Sequence, residues 1–130
     1  MSFQTPGGHV FQIAHEWWHF VELDKWSRLG DFYPYDWRRS DVEIVDVKDI
    51  EPPLRAVGVE LFKKCKLVLV LCAFTSPECC LPPVEVTRAP GLKQYRYAVY
   101  NGYHRYYASI AVGYPRLPVR IVEPFIPGSD

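Results

Sequence analysis

Asn101-Gly102 constrains this chain more than any other dipeptide, because both residues accept positive φ at little cost and so mark a place where the backbone reverses or kinks. Before it, residues 95–100 alternate in the manner of a strand. After it, a helix-compatible run continues to Gly113. The dipeptide therefore sits where a strand hands over to the first turn of a helix. The N–H groups of a first turn have no acceptor within the helix, and the positive end of the helix dipole lies there too, so the position favours an anion. His104 and Arg105 stand at this end and add two further donors. Phosphate is the anion that such an arrangement suits.

At 130 residues the chain is most simply one domain, long enough for a real core. Lys plus Arg equals Asp plus Glu at 15 each, so no overall charge draws the molecule onto nucleic acid or an acidic membrane, and such binding would have to rest on a local patch. Hydrophobic residues at 48% argue against disorder, and 12 prolines suggest short, stiff connections.

The first ten residues are polar and Gly-rich, which does not read as a secretory signal. Residues 67–74 form the longest apolar run, far short of the ~20 needed to span a bilayer. No membrane association is expected. Cys65, Cys72 and Cys79 fall seven apart, near one stripe of a continuous helix, where free cysteine acts as a small hydrophobe. Cys79 and Cys80 are adjacent and poorly placed to bridge each other, so reduced thiols and a cytoplasmic location are expected.

Residues 1–8 read as a loose lead-in. Val10, Ile13, Ala14, Trp17, Trp18 and Val21 then recur at helical spacing, which predicts an N-terminal helical piece. Within it, His15-Glu16-Trp17-Trp18-His19 matches the H-E-x-x-H pattern in which two histidines hold zinc and the glutamate acts as base. Only three positions define that pattern, and no Gly and third His follow it. A third ligand would have to be Glu43 or Asp46. The alternative is that His15 and His19 flank a tryptophan face that packs on the core.

Residues 26–39 are aromatic and punctuated by Gly30 and Pro34, as in an ordered loop. Residues 41–50 are rich in β-branched side chains and contain a strand, which Pro52-Pro53 ends. Leu54, Val57, Leu61, Cys65 and Val68 recur at helical spacing, with Lys63, Lys64 and Lys66 toward solvent. Residues 67–74 are apolar on all sides and fit a buried strand as well as a helix end. A turn at 75–80, a strand at 84–87, a turn at 89–91, a partner strand at 92–100, the helix after Gly102 and a last strand at 119–122 complete the order. Gly113 is the expected left-handed residue after that helix. The order strand, helix, strand, strand, helix, strand predicts an α+β fold around a small sheet.

The run Pro82-Pro83-Val84-Glu85-Val86, the box Asn101-Gly102-Tyr103-His104-Arg105 and the closing Leu117-Pro118-Val119-Arg120-Ile121-Val122 resemble the ParB/sulfiredoxin superfamily. The resemblance covers residues 41–123. It implies a ParB/sulfiredoxin-like domain at 41–130, with residues 1–40 as an extension packed on it. It also implies that Asn101, Gly102, Tyr103, His104 and Arg105 bind nucleotide phosphates, with Lys63 or Lys64 adding a contact. Sulfiredoxins carry their catalytic cysteine where this chain has Tyr103, so sulfinic-acid reduction is not expected. Segregation ParB proteins use Gly-Glu-Arg-Arg and append a helix-turn-helix, and neither is present. The remaining members with Gly-x-His-Arg include free-serine kinases and plasmid proteins similar to fertility-inhibition factors with ATPase and DNase activity.

The same resemblance implies an acidic residue near the end of the first strand, for which Glu51 is the best match and Asp49 the next. Such a carboxylate would act as general base or hold Mg²⁺ near the phosphates of ATP or another nucleotide. A solvated carboxylate before a Pro-Pro turn is the plain alternative. Tyr95, Tyr97, Tyr100, Tyr103, Tyr106, Tyr107 and Tyr114 surround the box as either a stacking surface or ordinary hairpin and helix faces. The functional expectations are thus a nucleotide-binding enzyme of phosphoryl transfer or hydrolysis, with DNA as a further partner; a silent interaction module that meets a protein through Trp17, Trp18 and Trp26; and a zinc hydrolase.

Overall fold

The computed structural model describes residues 1–25, 34–36, 39–53, 62–76, 81–88 and 94–123. The order among them is β1 (Ser2–Gln4), β2 (Val10–Gln12), α1 (His15–Phe20), β3 (Val42–Asp46), β4 (Ile50–Glu51), α2 (Lys64–Phe74), β5 (Val84–Arg88), β6 (Tyr97–Asn101), α3 (Tyr103–Ala111) and β7 (Arg116–Ile121). Short 3-10 turns occupy Leu23–Lys25 and Val47–Asp49. The architecture is α+β, as the sequence order predicts.

A mixed sheet of the described strands runs β3-β7-β5-β6-β4. β5 and β6 are the expected antiparallel hairpin, and β7 pairs parallel to β5 and antiparallel to β3. The strand expected at 41–50 is two strands at opposite edges of the sheet. β3 lies beside β7, whereas β4 lies parallel to β6, with Ile50 opposite Tyr97 and Glu51 opposite Ala98. Only Val47–Asp49 joins them, so Asp46 and Ile50 can stand about 14 Å apart at most. The two edges must therefore approach each other at that end, and the sheet curls toward a partly closed barrel.

Alternation fixes which face is inside. Val84 and Val86 are fully buried on β5, as are Leu117 and Val119 on β7, while Glu85 between the valines is half-buried on the other face. α2 covers the inner face through Leu67, Val70, Leu71 and Phe74, spaced i, i+3, i+4, i+7. This settles residues 67–74 as helix. The core-facing stripe differs from the one built on Cys65 and Val68: Cys65 and Cys72 are free and exposed, not buried. The expected helix positions 54–61 lie outside the described residues, as do Cys79, Cys80, Trp26, the turns at 77–80 and 89–91, and most of the loop at 26–39.

The N-terminus departs from the helical expectation. Residues 1–12 form a hairpin in which Phe3 faces Phe11 across the pair, and the helix is confined to α1. Phe3 and Phe11 stack at 5.5 Å between ring centroids, and Phe11 meets Tyr107 of α3 edge-on at 4.8 Å. Trp18 is buried in the same cluster, whereas Trp17 is half-buried and Phe20 is 76% exposed.

Candidate functional site

α3 begins at Gly102, whose φ of 121° and ψ of 37° suit glycine and strain any other residue. A Cβ at this position would also stand 3.2 Å from Arg105 Nη2 and 3.3 Å from Cζ and Nε. The close approach follows from where Arg105 is held. Its Nη1 donates to the carbonyls of Pro82 at 2.6 Å and Pro83 at 2.9 Å. The guanidinium thus fastens the start of α3 to the segment that enters β5. Burial pulls its pKa down from the ordinary value, while Tyr35 and Glu85 act the other way.

Asn101 is fastened to the same segment from the other side. Its Nδ2 donates to Glu85 Oε1 at 3.0 Å, and Arg120 Nη2 donates to Glu85 Oε2. These bonds, Arg120 first and Asn101 second, hold the Glu85 carboxyl below its usual range. Behind the box, Tyr35 Oη donates to the Arg105 carbonyl at 3.0 Å and lies 2.6 Å from Ser109 Oγ, which donates to the same carbonyl at 2.8 Å. Leu81 N–H donates to Pro34 O and Asp36 N–H to Leu81 O, which ties the Tyr35 segment to the strand entrance.

His104 is buried, and its Nε2 accepts the backbone N–H of Lys63 at 3.0 Å. While that bond holds, Nε2 carries no proton and the imidazole is neutral. Of the side-chain donors expected to aim at an anion, these bonds commit one atom each of His104 and Arg105 elsewhere. His104 Nε2 is an acceptor at the start of α2, and Arg105 Nη1 is committed to two carbonyls. At the start of α3, Gly102 is an N-cap without a side chain.

Asn101, Gly102, Tyr103, His104 and Arg105 line one cleft of about 550 Å³, within the range of small-molecule sites. Lys66 is the lysine in its wall. Leu69, Val99, Tyr100 and Pro82 supply an apolar side. Lys63 and Lys64 line a separate groove with Glu16, Trp17 and Phe20, and about 200° of helix rotation separates Lys64 from Lys66 on the cleft side of α2. Glu51 and Asp49 are half-buried on the β4 edge and are not among the described residues lining the cleft. Pro53 does line it, and its carbonyl accepts from Tyr107 Oη at 2.7 Å, so the chain leaving Glu51 passes along α3 into the cleft.

Most of the tyrosines belong to the core. Tyr106, Tyr107 and Tyr114 are buried, and Tyr103 packs its ring 4.9 Å from Tyr107 and 5.8 Å from Phe62. Tyr100 alone of the seven is exposed, at 58%, on the cleft wall. Lys66, Glu85 and Tyr35 are the contributors that reasoning from sequence missed. The first needed the register of α2, and the other two needed contacts over long sequence separations.

The H-E-x-x-H residues form no comparable centre. His15 and His19 are exposed with ring centroids 6.2 Å apart, and His19 Nδ1 is 3.0 Å from Asp24 Oδ2, a bond that lowers the Asp24 pKa. Among the described residues no group of three or more His, Cys, Asp or Glu is placed to hold a metal. Glu43 and Asp46 belong to β3 and do not complete the set. The described lining of the cleft contains no carboxylate. No helix among the described residues is long and apolar enough to cross a membrane.

No family model matches the sequence, and no curated protein matches it. Among solved structures the chain is similar to sulfiredoxin from Arabidopsis thaliana, with 19% identity and a TM-score of 0.48 over 64% of this chain and 85% of that one. It is also similar to the C-terminally truncated chromosome-partitioning protein ParB from Caulobacter crescentus complexed with CTP-gamma-S, with 17% identity and a TM-score of 0.47. That match covers 65% of this chain and 45% of the ParB chain.

Proposed function

We propose that this protein binds a nucleotide with its phosphates at the N-terminus of α3 and its apolar part against the cleft wall, and that it transfers or hydrolyses a phosphoryl group. The observation that carries the reading is the cleft itself, which is lined by residues 101–105 at the start of α3 and by Lys66. In this reading N–H groups of the first turn bind phosphate oxygens and Lys66 adds a point charge, while Gly102 lets the Arg105 guanidinium pack close against the turn. Arg105 and Asn101 are the braces that keep the turn in that shape. In the same reading, residues 1–40 act as an extension on a 41–130 domain.

Glu51, with Asp49 next to it, is the carboxylate we assign to drawing the proton from an attacking hydroxyl or water. Mg²⁺, brought on the nucleotide, would supply charge neutralisation of the phosphates. A thermal-shift panel of ATP, ADP, CTP and pyrophosphate tests the binding, since a ligand at a hundredfold excess over its Kd adds about 2.7 kcal/mol of stability. A nucleotide-dependent shift that Lys66→Glu reduces is expected, and the absence of any shift across the panel overturns the reading. Glu51→Gln should then lower phosphate release about a hundredfold without weakening binding. Nicking of plasmid DNA by the wild type and not by that variant would assign DNA as a substrate.

A further inference from the structure

A second concave surface lies on the face of α2 adjacent to the cleft. Its floor and walls are Trp17 and Phe20 from α1 and Val68 and Leu69 from α2, with Lys63 and Lys64 at one end and a volume of about 1080 Å³. α2 divides two sites between adjacent faces. Lys66, Leu69 and Val70 turn to the cleft, Lys64, Cys65, Val68 and Leu69 turn to this groove, and Leu69 stands on the rim of both. Phe20 and Leu69 are 76% and 72% exposed. One such residue is ordinary, but two lining one groove form an apolar surface that calls for an occupant.

We propose that this groove docks an acidic amphipathic helix from a protein partner. Charge chooses the sign: among the described residues the groove carries Lys63 and Lys64 against one acid, Glu16. A segment with aliphatic anchors on one face and glutamates or aspartates beside them matches both features. Shape chooses a helix over a bilayer, because the apolar side chains sit inside a concavity, whereas a membrane surface is met by a convex apolar face. A second copy of this chain fits poorly. A two-fold pairing of this groove with itself would bring the lysines of both copies together with fewer glutamates to match them. The 11 residues of α2 give a wall of about 16 Å, room for roughly three turns of a partner helix. The proposal stands apart from the nucleotide reading, since it uses neither α3 nor the box.

The test uses the intact protein and a synthetic acidic amphipathic helix of about 18 residues, with Leu and Phe at i, i+3, i+4, i+7 spacing and Glu elsewhere. Its controls are the same peptide with Lys for Glu and an acidic peptide of scrambled order. Binding is read by anisotropy of the labelled peptide, and location by the alkylation rates of the native thiols. Cys65 lines the groove, whereas Cys72 is exposed on the same helix outside the lining residues. Expected are binding of the acidic amphipathic peptide alone, slowed alkylation of Cys65 with Cys72 little changed, and about tenfold weaker binding in Phe20→Ser and in Lys64→Glu. Both side chains are exposed, so neither substitution should lower the melting temperature appreciably. Equal binding of the basic or scrambled peptide, or unprotected Cys65, overturns the proposal. So does a dimer in light scattering, or binding to phosphatidylserine vesicles, that Phe20→Ser abolishes, since either would assign the groove to another occupant.

Discussion

Gly102→Ala tests the geometry of the box directly. Two separable costs are expected. At φ 121° an alanine carries backbone strain, about 1–3 kcal/mol. Its Cβ would also press on Arg105 at 3.2 to 3.3 Å, and that guanidinium cannot retreat without stretching its bonds to the Pro82 and Pro83 carbonyls. Weakening two charge-assisted bonds adds about 1–2 kcal/mol. The total, about 3 kcal/mol, is a large part of the stability of an ordinary domain. Gly113→Ala is the matched control: its φ is 94°, yet nothing lies within 4 Å of its Cβ, so only strain of about 1–2 kcal/mol applies. Urea unfolding, with the m-value checked for constancy, reads both. Placed in an Arg105→Ala background, Gly102→Ala should lose its excess over Gly113→Ala, because the collision is gone. Equal losses for the two glycines in the wild-type background would refute the claim that Arg105 packs against a bare backbone.

Three further outcomes follow from the same structure. The buried Tyr106 hydroxyl has no hydrogen-bond partner among the described residues, so Tyr106→Phe should be neutral or raise stability by about 1 kcal/mol in urea unfolding. Glu85→Gln should cost about 1–2 kcal/mol near neutral pH by weakening the bonds to Arg120 and Asn101. Because the folded carboxyl titrates below its unfolded value, that stability is present above the unfolded pKa of about 4.3 and lost as pH falls through the folded one, so wild type and variant should converge in acid. Tyr35→Phe removes the hydroxyl that donates to the Arg105 carbonyl and meets buried Ser109, and should destabilise by about 1 kcal/mol, measured in the same way.

The hairpin of β5 and β6, the turn at Gly102, α3 and the left-handed Gly113 were legible because each rests on a local rule: alternation, tolerance of positive φ, or helical spacing. Other features depend on distant partners. Nothing near residues 41–50 says that the chain will leave one sheet edge and join the other, since Val42, Ile44 and Val47 look alike whichever strand they pair with. The N-terminal hairpin carried a signal in Pro6-Gly7-Gly8 between Phe3 and Phe11, but its three-residue strands are too short for alternation to outweigh the helical spacing that begins at Val10. The box residues were found by type, whereas their roles were not. Arg105 is a natural phosphate ligand in sequence and a brace in the fold, because the Pro82 and Pro83 carbonyls reach it first. Choosing Lys66 over Lys63 and Lys64 likewise required knowing the rotation of α2 about its axis.

The central claim, that the start of α3 receives a nucleotide phosphate, is tested most directly by following backbone amide signals during titration of ATP into labelled protein. The account predicts that the Tyr103, His104 and Arg105 amides move together with saturation, that pyrophosphate moves the same three, and that the groove residues around Phe20 stay in place. Saturable ATP shifts that spare residues 103–105, or none at all at millimolar nucleotide, would contradict it.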